Sequence, residues 1–234
     1  SVPIPYQYNK HTELVQLQHT AHHTTKPMSY AQLSHNAREI VAKFTLATSQ
    51  EVELGSDWYQ SADRIASRIA GKYGLSPYTV TGIIAALSPN NEWSRNIIDA
   101  EALCKVFRAH GTSKDLLRTK VCTFDPNKKM AVTMLALPAM MPHQILTGPK
   151  RMEFYNCIIR PELDDVCIDG HAYSVWLGLR VPTHKTPHIG KKLRAQIKQD
   201  YRDACCFINE ELGCDYCAAQ IQAITWVTHK RIYS

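Results

Sequence analysis

Asp169 stands in Val166-Cys-Ile-Asp-Gly-His171, between an apolar extended stretch and a helical pattern ending at Gly178. A carboxylate at a helix start can simply cap it. Taken alone, this acid says no more than that. Lys150 lies nineteen residues upstream, in Gln144-Ile-Leu-Thr-Gly-Pro-Lys-Arg151. That string reads as a short helix, a tight turn and a second helix. Gly148 allows dihedrals closed to other residues and a close approach of backbone to a ligand. The N–H groups opening the second helix suit a phosphate, and Lys150 and Arg151 add charge there. A third segment, Leu87-Ser-Pro-Asn-Asn-Glu-Trp93, carries an apolar helix into a polar, aromatic loop. Asn90, Asn91, Trp93 and Arg95 are its candidates for contact with nucleic acid, although Trp93 fits equally as packing on the domain. His171 could orient Asp169, touch phosphate or be structural. Tyr173 and Trp176 could line a pocket, though the spacing of Trp176 also suits a core.

The elements that must hold these residues read as helices. Tyr30, Leu33, Ala37, Ile40, Val41 and Phe44 share one face at steps of three and four. Ser56 can cap a second helix, with Trp58, Ala62, Ile65, Ala66, Ile69 and Tyr73 inward and Gly74 at its end. Ser76-Pro77 opens a third, almost wholly apolar from Val80 to Leu87 and stopped by Pro89. Further helices are expected over 94–110, 127–137, near 143–146, from the Gly148-Pro149 break through 159, and over 169–178, 187–212 and 216–231. No stretch alternates with period two long enough for a sheet. The expected class is all-α with about ten helices. Residues 1–28, with Pro3, Pro5 and His22-His23, read as a flexible arm or strap. Residues 29–234 read as one domain.

The chain has 234 residues, 27 Lys+Arg and 21 Asp+Glu, for a net charge of +6. That length buries a core without staples, and the near-average composition excludes wholesale disorder, collagen and coiled coil. The charge permits a nucleic-acid partner without requiring one. Between His184 and Arg202 lie Lys185, Lys191, Lys192, Arg194, Lys198 and Arg202 against the single acid Asp200. This is the densest basic run, either a solvated helix face or a phosphate-contact surface. No apolar run is long enough to span a membrane and no secretory leader is evident. The protein is therefore expected inside the cell, in the cytoplasm or nucleoid, with its eight cysteines reduced.

Taken together and in this order, Leu87-Ser88, Leu146-Thr147-Gly148 and Ile168-Asp169-Gly170-His171 resemble the helix-hairpin-helix (HhH-GPD) DNA glycosylase superfamily, the endonuclease III- and MutY-like group. The strings Leu-Ser-Pro-Asn-Asn-x-Trp, Thr-Gly-Pro-Lys and Gln222-Ala-Ile-Thr-Trp-Val227 look like a divergent phage and bacterial branch. The resemblance covers residues 56 to 230. It implies a two-lobed helical fold with a DNA cleft between the lobes, and a double-stranded DNA partner bound by a monomer that flips out a base. It makes Asp169 the catalytic carboxylate, ionised and partly desolvated, that stabilises positive charge on the sugar as the glycosidic bond breaks and activates the attacking water, and it assigns the phosphate grip to Gly148, Lys150 and Arg151, with Lys191 and Lys192 beside it. It makes Asn90, Asn91 and Trp93 the wedge, or the holders of the orphan base, and Tyr173, His171 and Trp176 pocket residues. The sequence departs from the pattern in two places. The hairpin's second glycine is replaced in Gly148-Pro149-Lys150, and the superfamily's Schiff-base lysine falls on Met152 or, with a deletion, on Lys150, leaving lyase activity open. Cys206, Cys214 and Cys217 approach the iron–sulfur spacing but no fourth cysteine follows. No cofactor is expected beyond a structural monovalent cation at the hairpin. The activity expected is hydrolysis of the N-glycosidic bond of a modified base. The alternatives are a base-modifying enzyme of phage-type DNA and a non-catalytic DNA-binding module.

Overall fold

The computed structural model describes residues 29–233 except His110; the arm at 1–28 lies outside the described residues. The class is all-α, with twelve α-helices and no strand among the described residues. They are α1 (His35–Thr45), α2 (Ser49–Ser56), α3 (Trp58–Tyr73), α4 (Pro77–Leu87), α5 (Trp93–Arg108), α6 (Ser113–Arg118), α7 (Asp125–Ala136), α8 (Pro142–Ile145), α9 (Pro149–Ile159), α10 (Gly170–Leu177), α11 (Lys191–Leu212) and α12 (Ala218–Tyr233). None of them is long and apolar enough to cross a membrane.

Several boundaries differ from the sequence expectation for local reasons. Ser34 caps α1 by accepting a hydrogen bond from the Ala37 N–H, so Tyr30 falls in a separate 3-10 turn and is exposed. Ser56 ends α2 instead of opening α3, which begins after Asp57. Glu92 caps α5, moving its start to Trp93, and α11 begins only after Gly190. Helices α2 and α6 have no counterpart in the expected set. Each starts with a reciprocal capping box, Thr48 with Glu51 and Thr112 with Asp115, a pairing that satisfies two orphan donors at once.

Two large apolar clusters form the core. The first surrounds α4, in which every residue from Val80 to Leu87 is buried, and draws on α3 through α9. The second joins α1, α10, α11 and α12 with Val166 and Ile168. A third, small cluster of Tyr59, Ala62, Cys157, Ile158, Cys167, Ala219 and Ala223 connects them. Among the described residues the path starts in the second cluster, builds the first, and returns through residues 160–169. Helix α2 lies close against α12. A Cβ on Gly55 would come within 2.4 Å of the Ile224 Cα, so a side chain there would push α12 away.

The returning segment is clamped by a buried ion network. Glu153 on α9 is 3% exposed. It accepts from the Ile168 N–H (3.1 Å) and from Arg194 Nη1 (2.6 Å), and Lys198 Nζ lies at 2.8 Å. Arg194 Nη1 also donates to the Ile168 carbonyl (3.1 Å). Lys198 pairs in addition with Asp165, whose other oxygen accepts from Asn156 Nδ2. Burial pushes the Glu153 carboxyl up, only partly offset by Lys198 and Arg194. Burial acts on Asp165 in the same direction, but its bonds to Lys198 and Asn156 outweigh it and hold this acid below its ordinary value. The stabilisation from Asp165 is therefore complete above the ordinary carboxylate range and is lost as pH falls through its lowered folded value. Replacing Glu153 by Ala strands two shielded cations and a backbone donor, so Glu153→Ala is expected to cost about 3–5 kcal/mol in urea denaturation. The exposed Glu162→Ala serves as control, and a comparable small loss for both would contradict the clamp.

Candidate functional site

The hairpin is built around Gly148. Its φ of 85° and ψ of 135° lie in a region that is essentially glycine's alone. Arg151 folds back over the turn, donating from Nε to the Thr147 carbonyl (2.6 Å) and from Nη1 to Asn127 Oδ1. Pro149 opens α9 without an N–H to satisfy, as suits the first helical position. The N–H groups of Lys150 and Arg151, in the first turn, have no carbonyl within the helix. Around this turn lies an open cleft of about 400 Å³, lined by Pro89, Gly148, Lys150, Arg151, Asp169, His188 and Arg194 among others.

Asp169 both caps α10 and faces this cleft. Its Oδ1 accepts from the N–H groups of His171 (3.0 Å) and Ala172 (2.9 Å). Its Oδ2 accepts no hydrogen bond among the described residues. His171 orients the acid through its backbone. Its ring turns away, edge-on to Trp226 and to His229, and lines neither cavity. His229 is 4% exposed. Its burial, with Lys43 and His171 nearby, lowers its pKa to about 4.

On the other side of Asp169 and Lys150 is a second cavity, of about 270 Å³. Its walls are aromatic: Trp58, Tyr59, Trp93, Phe154 and Trp226. Trp93 stands edge-on to Trp58, with centroids 4.6 Å apart at 81°, and edge-on to Phe154 at 6.3 Å. Trp226 tilts over Trp58 at 5.8 Å and 30°. The polar lining includes Ser88, Asn91, Asn96, Gln222 and, with Lys150, the ammonium of Lys230, which lies 4.6 Å from the Trp226 ring. The Tyr59 hydroxyl donates to Gln222 Oε1 (2.7 Å), and burial raises that phenol well above its usual range. Lys150 and Asp169 line both cavities. One cation and one carboxylate therefore form a band common to an aromatic cavity and a basic cleft.

Several expected site residues lie elsewhere. Tyr173 and Trp176 pack into the second core cluster, and Trp176 Nε1 donates to Asp200 (2.7 Å), so neither lines the aromatic cavity. Trp93 is a cavity wall, not an exposed wedge. Arg95 is paired with Asp99 at 2.8 Å. Asn90 is the exposed tip of the loop, at φ 56°. The basic run splits in two. Arg194, Lys198 and Arg202 turn inward onto Glu153, Asp165 and Asp164, while Lys185, Lys191 and Lys192 stay exposed but line neither cavity. Cys206 is exposed, Cys214 donates to the Ile208 carbonyl and Asn209, and Cys217 packs on the joining cluster. No three His, Cys, Asp or Glu residues converge as metal ligands among the described residues.

Cavity-lining residues that the sequence did not single out as site candidates include Trp58, Tyr59, Phe154, Asn96, Gln222, Trp226 and Lys230. A signal existed for three of them: Gln222, Trp226 and Lys230 recur at steps of four, which places them on one helix face. An alanine at 148 would be strained and would meet Arg151 Nη2 at 2.9 Å. Gly148→Ala is expected to cost about 1–3 kcal/mol, read as a lowered melting temperature. An unchanged melting temperature would contradict the strained, closely packed turn at Gly148.

Comparison with known protein families matches residues 22–232 to a family of unknown function, DUF7178. No curated protein and no solved structure matches the chain. Since the match spans nearly its whole length, the chain belongs to the DUF7178 family of unknown function.

Proposed function

We propose that the protein is a DNA glycosylase-like enzyme that hydrolyses the N-glycosidic bond of a base flipped out of duplex DNA. The observation that carries this reading is that Asp169 and Lys150 line both the aromatic cavity and the basic hairpin cleft. A nucleotide spanning that band would put its base between Trp58, Trp93 and Phe154, its phosphate against Gly148 and Arg151, and its sugar beside the carboxylate. The two core clusters with the junction between them, and the hairpin ahead of Asp169, are what a two-lobed HhH-GPD fold would present.

In this reading the bond from C1′ to the base nitrogen breaks with its electron pair leaving on the base. Positive charge grows on the sugar, and Asp169 opposes it across a short distance in a partly dehydrated site. Water adds its oxygen to C1′ and gives one proton to Asp169, which passes it through solvent to the departed base, so that the base is released as B–H and the carboxylate is restored. The His171 and Ala172 N–H groups keep Oδ1 fixed, which leaves Oδ2 as the oxygen able to approach the sugar or the water. Lys150, an exposed cation at the same band, serves as phosphate contact, and its position would also let it reach C1′ once the base has left. Asn90 at the loop tip is the residue placed to enter the space a flipped base vacates.

Asp169→Asn keeps one acceptor for the α10 cap and removes the charge. It is expected to abolish base release, measured by mass spectrometry over a panel of modified duplexes, while duplex affinity changes less than about threefold. The wild-type affinity should fall steeply with salt, and Lys150→Ala should reduce the slope of log K against log salt by about one phosphate contact. No base released from any duplex by wild-type protein, with identical binding by the Asp169 variant, would sink the reading.

A further inference from the structure

We propose that Lys43, Arg180 and Tyr233 form a phosphate-binding site of their own, lining neither of the two cavities. Lys43 on α1 is 8% exposed. Its ammonium lies 5.0 Å from the centre of the Tyr233 ring. Its Nζ is not one of the enclosed atoms, so a ligand can reach it. Arg180, exposed just past α10, brings its guanidinium carbon to 5.8 Å from the same ring centre. Neither cation pairs with an acid among the described residues. Glu39, one turn before Lys43 on α1, lies against Gly178 instead: its Oε2 is 2.3 Å from where a Cβ on that glycine would sit.

Buried charges are as a rule paired or hydrogen-bonded. The buried acids here obey that rule: Glu51 pairs with Arg231, Asp99 with Arg95, and Glu153 with Arg194 and Lys198. Lys43 is the one buried lysine or arginine among the described residues, and it has no such partner. Two like charges laid against one ring also repel each other, and an anion between them relieves both. His229 packs on Tyr233 at 4.7 Å and stays neutral at pH 7, its pKa lowered to about 4 by burial first and then by Lys43, His171 and Arg180. The positive charge of the site is therefore that of Lys43 and Arg180. A phosphate suits the set. Its oxygens point to several sides and can accept from an ammonium, a guanidinium and the Tyr233 hydroxyl together, whereas a carboxylate offers two oxygens in one plane. The site is near the aromatic cavity. His171 stands edge-on to both His229 and the cavity wall Trp226, and Tyr233 follows Trp226 by two turns of α12, roughly 10 Å. One strand of a duplex carries a charge about every 3.4 Å of axis, so a strand entering the cavity brings a phosphate within reach. That chemistry has two sources, a nucleic-acid backbone and a free phosphate ion. Neither requires that a base be released.

The test uses the full chain with Arg180→Gln, at an exposed position, and Lys43→Met, which keeps the apolar stem and removes the charge; circular dichroism checks that both fold. Lys114→Gln, an exposed lysine on α6, is the control. Duplex affinity is followed against salt, and melting is compared in sodium phosphate and sodium chloride of equal ionic strength. If the source is a backbone, each variant weakens duplex binding, and the two combined lower the slope of log K against log salt by about one phosphate contact, with the control unchanged. If the source is the free ion, phosphate raises the wild-type melting temperature over chloride and both variants lose that rise. Either result supports the site and names its source. Variants that match wild type in both measurements overturn the inference, as does wild-type protein that responds to neither duplex nor phosphate. Base release is read separately on the same proteins, so a phosphate response without any base released leaves the inference standing while the function proposed above fails.

Discussion

The backbone of Ile168 is held at both its N–H and its carbonyl, and the rest of the site depends on that grip. Glu153 on α9 takes its N–H, and Arg194 on α11 gives to its carbonyl. The two side chains also bind each other. Glu153 comes from the hairpin helix and Arg194 from the long α11, so the network ties both helices to the residue that precedes Asp169. A carboxylate and two cations are costly to dehydrate, and their mutual attraction offsets that cost only with good geometry and filled hydrogen bonds. Here the extra bonds go to backbone, to Asp165 and to Asn156. What such a network contributes over an apolar substitute is position. An apolar contact is non-directional, whereas the clamp fixes both the distance and the rotation of the strand-like segment that delivers the acid.

The same network explains why charge counting misjudged the surface. The run from His184 to Arg202 carries five net positive charges in sequence, yet Arg194, Lys198 and Arg202 are turned inward to acids on other segments. Partners that lie 33 to 41 residues away are invisible to a linear tally. The charge left facing the hairpin cleft is small and local: Lys150, Arg151 and one face of Arg194. Arg151 is itself partly committed to Thr147 and Asn127. Any phosphate held there leans on the first-turn N–H groups of α9 as much as on side chains.

Helix type and the order of the three motifs were readable because they follow from local rules. Apolar residues at steps of three and four gave most helices, and proline and glycine gave several of the breaks. The two missed helices were short and polar, and their only sign was the capping box. Asp169 was legible because a helix start constrains the residues around it within a few positions. The aromatic slot was not legible. Trp58 was read as an inward residue of α3, and inward it is, but toward a gap between clusters. Whether an inward tryptophan meets a core or a cavity depends on α5, α9 and α12 together. Tyr173 and Trp176 show the converse: they lie within eight residues of the acid and still face a different core, because α10 turns them there.

The helix cap and the proposed catalytic duty of Asp169 are compatible because a carboxylate has two oxygens. Oδ1 accepts two backbone N–H groups and is thereby immobilised; the helix dipole adds a favourable field for negative charge at that end. Oδ2 keeps its lone pairs for what enters the band between slot and cleft. A residue committed only to capping would lose little if moved by an ångström. A residue asked to oppose charge at a sugar carbon must be held to a fraction of that, with the support coming from packing and hydrogen bonds behind it. The Ile168 clamp on one side and the α10 N–H groups on the other supply that support. The acid thus stands between two rigid elements, at the place where its residue lines both cavities.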